Sequence, residues 1–277
     1  MSTRGVLGSA RPLVAALALW AAAPAVGDAS QAAPTLGASG AEPGAEPGAA
    51  SDGSPIWVGR FADGLAPWRE IRIKPELRPN AFRRLDWEGA SAVEVVSSSA
   101  MSLLARPLAI DLSATPVLCW RWRVDAPLQG ADMTRRAGDD YAARLYVSLR
   151  IPESEQGLAL RAQLRLARAI WGPEVPDAAI NYVWDNRQPV GTERPNAYTD
   201  RAMMVVLRSG PADAGRWVWE RRDVRRDAAR LFTAAATPVQ LAITADTDNT
   251  GESARAGFAD LHFVGAGAPC VQGRAGS

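Results

Sequence analysis

The stretch VLCWRWRV, Val117–Val124, decides the fold class of this chain. Its apolar side chains recur at every second position: Leu118, Trp120, Trp122 and Val124. The positions between them hold Cys119, Arg121 and Arg123. Because successive side chains of a β-strand point to opposite faces, this alternation predicts a strand with one face in the core, and it places Trp120 and Trp122 on that face.

Similar stretches follow this strand along the chain. YAARLYVSLRI (141–151) alternates in the same way, and further strands are predicted in INYVW, RAMMVVLRSG, VQLAITAD and AGFADLHFV. Leucines at helical spacing occur in SEQGLALRAQLRLARAIWG, and a second short helix is predicted in DVRRDAARLF. Many short strands with few helices predict a mainly β chain: an antiparallel, jelly-roll-like β-sandwich of the galactose-binding-like type, with one helical insertion near 154–171.

Composition excludes some partners. Of the 277 residues, 47% are apolar and 22% are charged, and the net charge is +1. A chain so close to neutral lacks the basic surface that nucleic-acid binding requires. Nitrogen and thiol ligands for zinc are also scarce, since the chain has one histidine and two cysteines.

The N-terminal residues predict export. Two arginines precede the apolar run PLVAALALWAAAPAV, and small residues follow it, which is typical of a signal peptide over residues 1–28. Residues 29–54 are rich in Ala, Gly and Pro and predict a disordered linker. The β-sandwich domain is predicted over 55–266 and a flexible tail over 267–277. The expected location is periplasmic or secreted, with no transmembrane segment in the mature chain.

The start of the domain and the cysteines add two observations. WVGRFADGLAPWRE (57–70) combines a strand start, an Asp-Gly turn and tryptophans, as is typical of jelly-roll domains that bind sugars.

Cys119 and Cys270 are the only cysteines. In an oxidising compartment they can form one bridge, and a buried free thiol at Cys119 is the alternative.

Several stretches together resemble a bacterial family known as domain of unknown function 3047. They run in the family's order over about residues 56–265: LCWRWRV, GDDYAARLYV, INYVW, RPNAYTDRAMMVVLRSG, GRWVWERRDVRRDAARLF and TADTDNTGESARAGFADLHF. RDVRRDAARLFT departs from the family's pattern in lacking aromatic residues. The resemblance implies a secreted β-sandwich with no established activity.

The chain offers no convincing catalytic set. His262, the only histidine, lies in a strand pattern and is interpreted as part of a sheet surface rather than as a member of a triad. A polar network is predicted that is either structural or an active site. It consists of Asp139, Asp140, Arg222 and Asp223. Adjacent residues of a strand point to opposite faces, so the alternation predicts that Asp139 and Asp140 do not act as one pair.

A ligand-binding face is predicted on one sheet. Its candidate residues are Arg123, Arg144, Tyr146, Tyr182 and Trp184. Aromatic rings can stack on sugar faces while arginines donate hydrogen bonds to hydroxyl groups. The alternative is that Tyr182 and Trp184 belong to the core.

The stretch ADTDNTG (245–251) is a candidate calcium loop. Asp246, Asp248 and Asn249 offer oxygen ligands at the density that calcium prefers. The helix-loop-helix calcium motif is excluded because Gly257 stands where that motif needs a glutamate. A metal-free loop between two strands is the alternative.

These observations predict a secreted, non-catalytic binding protein for a carbohydrate or another component of the cell envelope. Two alternatives stay open. One is a hydrolase of envelope polysaccharide that uses Asp140, Asp223 or Asp246. The other is a periplasmic scaffold or assembly partner. No cofactor is predicted apart from the candidate calcium ion.

Overall fold

A computed structural model of the protein describes residues 54–73, 76–171 and 175–273, and within these ranges thirteen strands form two sheets. In chain order the strands are β1 (Ile56–Gly59), β2 (Arg69–Ile71), β3 (Ala81–Trp87), β4 (Ala90–Ser98), β5 (Leu103–Pro107), β6 (Val117–Val124), β7 (Tyr141–Arg150), β8 (Ala178–Asp185), β9 (Glu193–Asn196), β10 (Thr199–Ser209), β11 (Val218–Asp223), β12 (Thr237–Asp246) and β13 (Ser253–Val264). Helix α1 (Leu158–Trp171) joins β7 to β8, and helix α2 (Val224–Leu231) joins β11 to β12.

Some predicted segments lie outside the described residues. These are the signal peptide (1–28), nearly all of the linker (29–54) and the last four residues of the tail (267–277). In the ranges that the structure describes, no helix has both the length and the apolar character needed to cross a membrane.

The two sheets have different strand orders. The six-stranded sheet runs β11-β6-β13-β4-β3, with β1 also paired to β13. The seven-stranded sheet runs β2-β5-β12-β7-β8-β10-β9. Neighbouring strands are antiparallel except for β8 and β10, which are parallel. The prediction of a mainly β sandwich is confirmed. The sandwich is antiparallel apart from this one parallel pair.

The core lies between the sheets and is rich in aromatic rings. Trp120 and Trp122 of β6 are fully buried, which confirms their predicted place. Across the core, Trp120 packs on Tyr182 at 5.5 Å between ring centroids, and Trp122 packs on Trp184 at 5.9 Å. Burying such rings removes a large apolar area from water and holds the two sheets together.

Helices α1 and α2 connect strands of the sandwich. Helix α1 confirms the predicted insertion and buries Leu164 and Ala167, whereas Leu166 and Ile170 are exposed. Helix α2 begins after Asp223, whose side chain accepts a hydrogen bond from the backbone N–H of Arg226. Such a cap satisfies a backbone donor that the first turn of a helix leaves unpaired.

The C-terminal segment is fastened to the six-stranded sheet. Cys119 of β6 forms a disulfide with Cys270, which settles the alternatives left open by the sequence. Beyond the bridge, the backbone N–H of Val271 donates to Nε2 of His262 at 3.0 Å, and that of Gly273 donates to Asp260 at 3.1 Å. One covalent and two polar contacts therefore fix residues 270–273 against β6 and β13.

Candidate functional site

The five residues of the predicted ligand-binding face do not share one face. Tyr182 and Trp184 point into the core, whereas Arg144 and Tyr146 lie on the outer side of the seven-stranded sheet. The pairing of β7 and β8 explains this, since Leu145 stands opposite Tyr182. Arg123 lies on the other sheet, where it packs over Trp87. The predicted common face is therefore wrong.

The predicted polar network also separates into two places. Arg222 donates two hydrogen bonds to Asp227, which accepts a third from the hydroxyl group of Tyr182 at 2.7 Å. Asp223 caps helix α2, as described above. Asp139 and Asp140 belong to a different group of residues, at the beginning of β7.

Four acidic residues meet where β7 begins and β12 ends: Asp139, Asp140, Asp246 and Asp248, here called the carboxylate cluster. Asp246 pairs with Tyr141, the first residue of β7, which brings the two strand ends together. Oxygen atoms of Asp140, Asp246 and Asp248 lie within 4.8 Å of one another. Asp139 and Asp140 precede β7, so strand alternation does not apply to them and both join the cluster.

The loop after β12 wraps around Asp140. The backbone N–H and the side-chain amide of Asn249 donate to one carboxylate oxygen, at 3.2 and 3.0 Å. The backbone N–H and the hydroxyl group of Thr250 donate to the other, at 2.6 and 2.7 Å. The amide oxygen of Asn249 accepts from Tyr198 at 2.9 Å. Asn249 therefore positions Asp140 through its two nitrogen donors, and its role as a calcium ligand stays a prediction.

Arg144 supplies positive charge to the cluster. Its guanidinium lies 3.2 Å from Asp246 and 3.9 Å from Asp139, and it donates to Asn181 at 3.2 Å. The rings of Tyr141 and Tyr146 lie on it, with centroids 5.0 and 4.5 Å from its central carbon. A buried arginine held by carboxylates and aromatic rings is fixed in place, so it orients the acidic groups around it.

The environment of the cluster disfavours negative charge. Burial raises the pKa of Asp246 well above its ordinary value, Arg144 opposes that shift, and Asp140 and Asp248 add to it. Burial also raises the pKa of Asp139, again against the influence of Arg144. Removing a carboxylate from water penalises its ionised form, and neighbouring carboxylates add repulsion. The cluster therefore favours uptake of positive charge, either as protons or as a metal ion.

Sequence reasoning missed three members of this site: Asn181, Asn196 and Tyr198. Asn196 donates to both oxygens of Asp139, at 2.8 and 2.7 Å. A usable signal existed for Asn181, because an amide in the middle of the apolar run INYVW must find partners when it is buried. Asn196 and Tyr198 come from a loop-like stretch whose position depends on the sheet.

An open cleft lies elsewhere, at the start of the domain, and is here called the Trp57 cleft. It encloses about 110 Å³. The residues that line it include Trp57, Arg60, Phe61, Asp63, Trp68 and Arg106. All but Arg106 come from the stretch WVGRFADGLAPW, which the sequence singled out as typical of sugar-binding domains.

The walls of the Trp57 cleft are held firmly. The ring of Trp57 packs on His262 with 4.7 Å between centroids, and the guanidinium of Arg60 lies 5.7 Å from the same ring. Arg60 also donates to Asp63 at 2.8 and 2.6 Å. Below them, the carbonyl oxygen of Val58 accepts from Trp68 at 2.9 Å and from Arg106 at 2.7 Å. The cleft thus offers a supported indole ring beside an exposed carboxylate and guanidinium.

His262 predicts a dependence of stability on pH. Burial lowers its pKa, which the carbonyl oxygen of Asp260 and its carboxylate partly oppose. The unfolded chain therefore takes up the proton first, so the contribution of His262 to the free energy of unfolding should be constant above about pH 6.5 and fall below it, by up to about 1.4 kcal/mol per pH unit. Denaturant titrations between pH 4.5 and 8 measure this. Asn in place of His262 should remove that part of the slope, and an unchanged slope would contradict the assignment.

Comparisons with known proteins give a family and distant structural similarities. The family model described as "Protein of unknown function (DUF3047)" matches residues 66–262. No curated protein matches the chain. A solved chain described as the xyloglucanase domain of NopAA, a type three effector from Sinorhizobium fredii, in complex with cellobiose, is similar over 73% of this chain and 99% of its own, with 9% identity and a TM-score of 0.35.

A second solved chain comes from the structure of Tomato Aspermy Virus. It is similar over 76% of this chain and 95% of its own, with 12% identity and a TM-score of 0.15. Both TM-scores are too low to support conclusions about the fold or the activity of this chain.

Proposed function

Since this chain belongs to the DUF3047 family, whose description states no activity, we propose from its own geometry that it is a non-catalytic binding protein of the cell envelope and that it binds a carbohydrate at the Trp57 cleft. The cleft carries the proposal, because it combines an aromatic ring with polar groups of both charges at the surface. The carbon-bound hydrogens of a sugar ring pack on an indole, and its hydroxyl groups bond to carboxylates and guanidinium groups.

The size of the cleft limits the ligand. A volume of about 110 Å³ is smaller than that of enclosed small-molecule pockets, which hold roughly 300–1,000 Å³. The cleft therefore suits one sugar unit, either the end of a chain or a substituent, rather than a long stretch of polysaccharide. Since Trp57 is already fixed by His262 and Arg60, binding loses little side-chain entropy.

The disulfide supports a location outside the cytoplasm. Cys119 and Cys270 are bonded, and such bridges persist in oxidising compartments. The predicted signal peptide agrees with this, so we place the protein in the periplasm or outside the cell as part of the proposal.

The carboxylate cluster argues against the hydrolase alternative. Glycosidases place two carboxyl groups roughly 5–10 Å apart on either side of a sugar. In the cluster, Asp140 and Asp246 are almost fully buried, and oxygens of both lie within 4.8 Å of each other and of Asp248. No sugar fits between them. In the Trp57 cleft, Asp63 is the only carboxylate among the described lining residues.

The proposal predicts that Trp57→Ala weakens carbohydrate binding about tenfold or more, because the stacking surface is lost. A glycan array identifies the sugar, and isothermal titration with that sugar measures the affinity. Trp219→Ala is the matched control, since Trp219 is an exposed tryptophan that also packs on His262 but does not line the cleft. Circular dichroism shows whether both variants fold.

Two results would overturn the proposal. Equal affinity of the wild type and Trp57→Ala would show that the cleft is not the binding site. Release of reducing sugar by the wild-type protein from an array-positive glycan would show that the protein is catalytic.

A further inference from the structure

We propose that Asp140, Asp246 and Asp248 bind one hard divalent cation of the calcium class, which ties the end of β12 to the beginning of β7. The site is separate from the Trp57 cleft and does not depend on the function proposed there. It brings together residues that are more than 100 positions apart in the chain, so its effect is expected on the stability of the sandwich.

The spacing of the oxygen atoms fits a single ion. Calcium binds carboxylate oxygens at about 2.3–2.6 Å, so two ligands of one ion lie at most about 5 Å apart. Oxygens of Asp140, Asp246 and Asp248 lie within 4.8 Å of one another. One ion between them can therefore reach all three without a change in the backbone.

A buried oxygen without a partner points to the same position. Asp246 is 3% exposed, and its Oδ2 lies 3.2 Å from Arg144. In the part of the chain that the structure describes, its Oδ1 has no hydrogen-bond donor. A buried carboxylate oxygen that lacks a donor is costly, and coordination to a cation satisfies it.

Asp140 is held in the orientation that a ligand needs. Each of its two oxygens accepts two hydrogen bonds, one from a backbone N–H and one from a side chain, which belong to Asn249 on one oxygen and to Thr250 on the other. Each carboxylate oxygen has two lone pairs, so an ion at Asp140 takes the place of one side-chain donor, of Asn249 or Thr250, while the backbone N–H groups continue to hold the carboxylate. The donors act as an outer layer that fixes this ligand before the ion arrives.

The carboxylate ligands determine which metal the site prefers, and the half-buried Asp248 lets the ion reach the site from solvent. All three side chains offer carboxylate oxygens, which suit calcium or magnesium rather than zinc or copper. Asp248 is half-buried, in contrast to Asp140 and Asp246, so the ion can enter and keep water ligands on that side. Calcium accepts such an irregular, partly hydrated site more readily than magnesium, which requires near-octahedral geometry.

The experiment compares thermal unfolding of the full mature chain in EDTA and in 1 mM CaCl₂. We expect the melting temperature to rise by about 5 °C or more with calcium, because an ion that binds only the folded state stabilises it. Magnesium at the same concentration should raise it less. Asp248→Asn should abolish the calcium-dependent rise while its melting temperature in EDTA stays within about 2 °C of the wild type. Asp200→Asn, the same change at an exposed aspartate outside the cluster, should keep the full rise.

A second measurement does not depend on stability. Terbium(III) binds calcium sites and emits when nearby tyrosines are excited, and Tyr141 and Tyr146 contact Arg144 beside the cluster. We expect emission that calcium displaces and that Asp248→Asn loses.

The proposal is overturned by an equal melting temperature in EDTA and calcium together with no terbium emission. A response to zinc alone, or a larger response to magnesium than to calcium, also overturns it, because the metal class would then be wrong.

Discussion

Replacing Arg144 with methionine is expected to lower the free energy of unfolding by about 3–5 kcal/mol. The guanidinium is buried, and it is the group that pairs with both Asp246 and Asp139. Methionine keeps much of the apolar volume but leaves the carboxylates without this charge, and it removes the donor to Asn181. Denaturant unfolding followed by circular dichroism, in calcium-free buffer, measures the loss.

Arg226→Met is the matched control for this prediction. Its side chain is 85% exposed and lies 3.4 Å from Asp223, so the same substitution should cost less than about 1 kcal/mol. Arg144→Lys should fall between the two, because lysine keeps the charge but cannot bond to several partners in one plane. Equal losses for Arg144→Met and Arg226→Met would show that the cluster does not depend on its arginine.

The Cys119→Ala, Cys270→Ala double variant is expected to lose about 2–5 kcal/mol of unfolding free energy. The bridge joins positions separated by 151 residues, so its removal restores a large amount of conformational freedom to the unfolded chain. The native segment keeps its polar contacts from Val271 to His262 and from Gly273 to Asp260. The variant should therefore fold to the same structure with a lower midpoint in guanidinium chloride.

A reducing agent provides the control for the disulfide. It should lower the midpoint of the wild type to that of the double variant and leave the variant unchanged. A loss below about 1 kcal/mol would mean that strain in the folded state offsets the restriction of the unfolded chain.

Much of the sandwich was predictable because its signals are local. In β6 the alternation of apolar and charged residues places Trp120 and Trp122 in the core, and the same period identifies β7 as a strand. The leucines of α1 repeat at helical spacing and form the predicted insertion. Such patterns depend on backbone geometry over two to four residues, so a single sequence contains them.

The candidate sites were predictable only in part. The sequence identified the loop ADTDNTG and the residues Asp139 and Asp140 as acidic groups. It did not predict that the two groups lie close together in the fold. The sequence identified WVGRFADGLAPW as a stretch typical of jelly-roll domains that bind sugars, and in the structure this stretch lines most of an open cleft. The predicted ligand-binding face failed because it assumed that the polar residues of β7 and the aromatic residues of β8 point the same way.

The sequence by itself determined the class of fold, the insertion and the strands β6, β7, β8, β10, β12 and β13, because these follow from short-range periodicity. Only the tertiary structure decided which side chains of β8 and β7 lie on the same face of the sheet. The pairing of Tyr182 with Leu145 places the tyrosine in the core. The tertiary structure also decided that Asp140 is enclosed by a loop about 110 positions away and that Cys119 meets Cys270. Register and long-range contacts depend on how all strands pack at once, since each strand alone permits several partners.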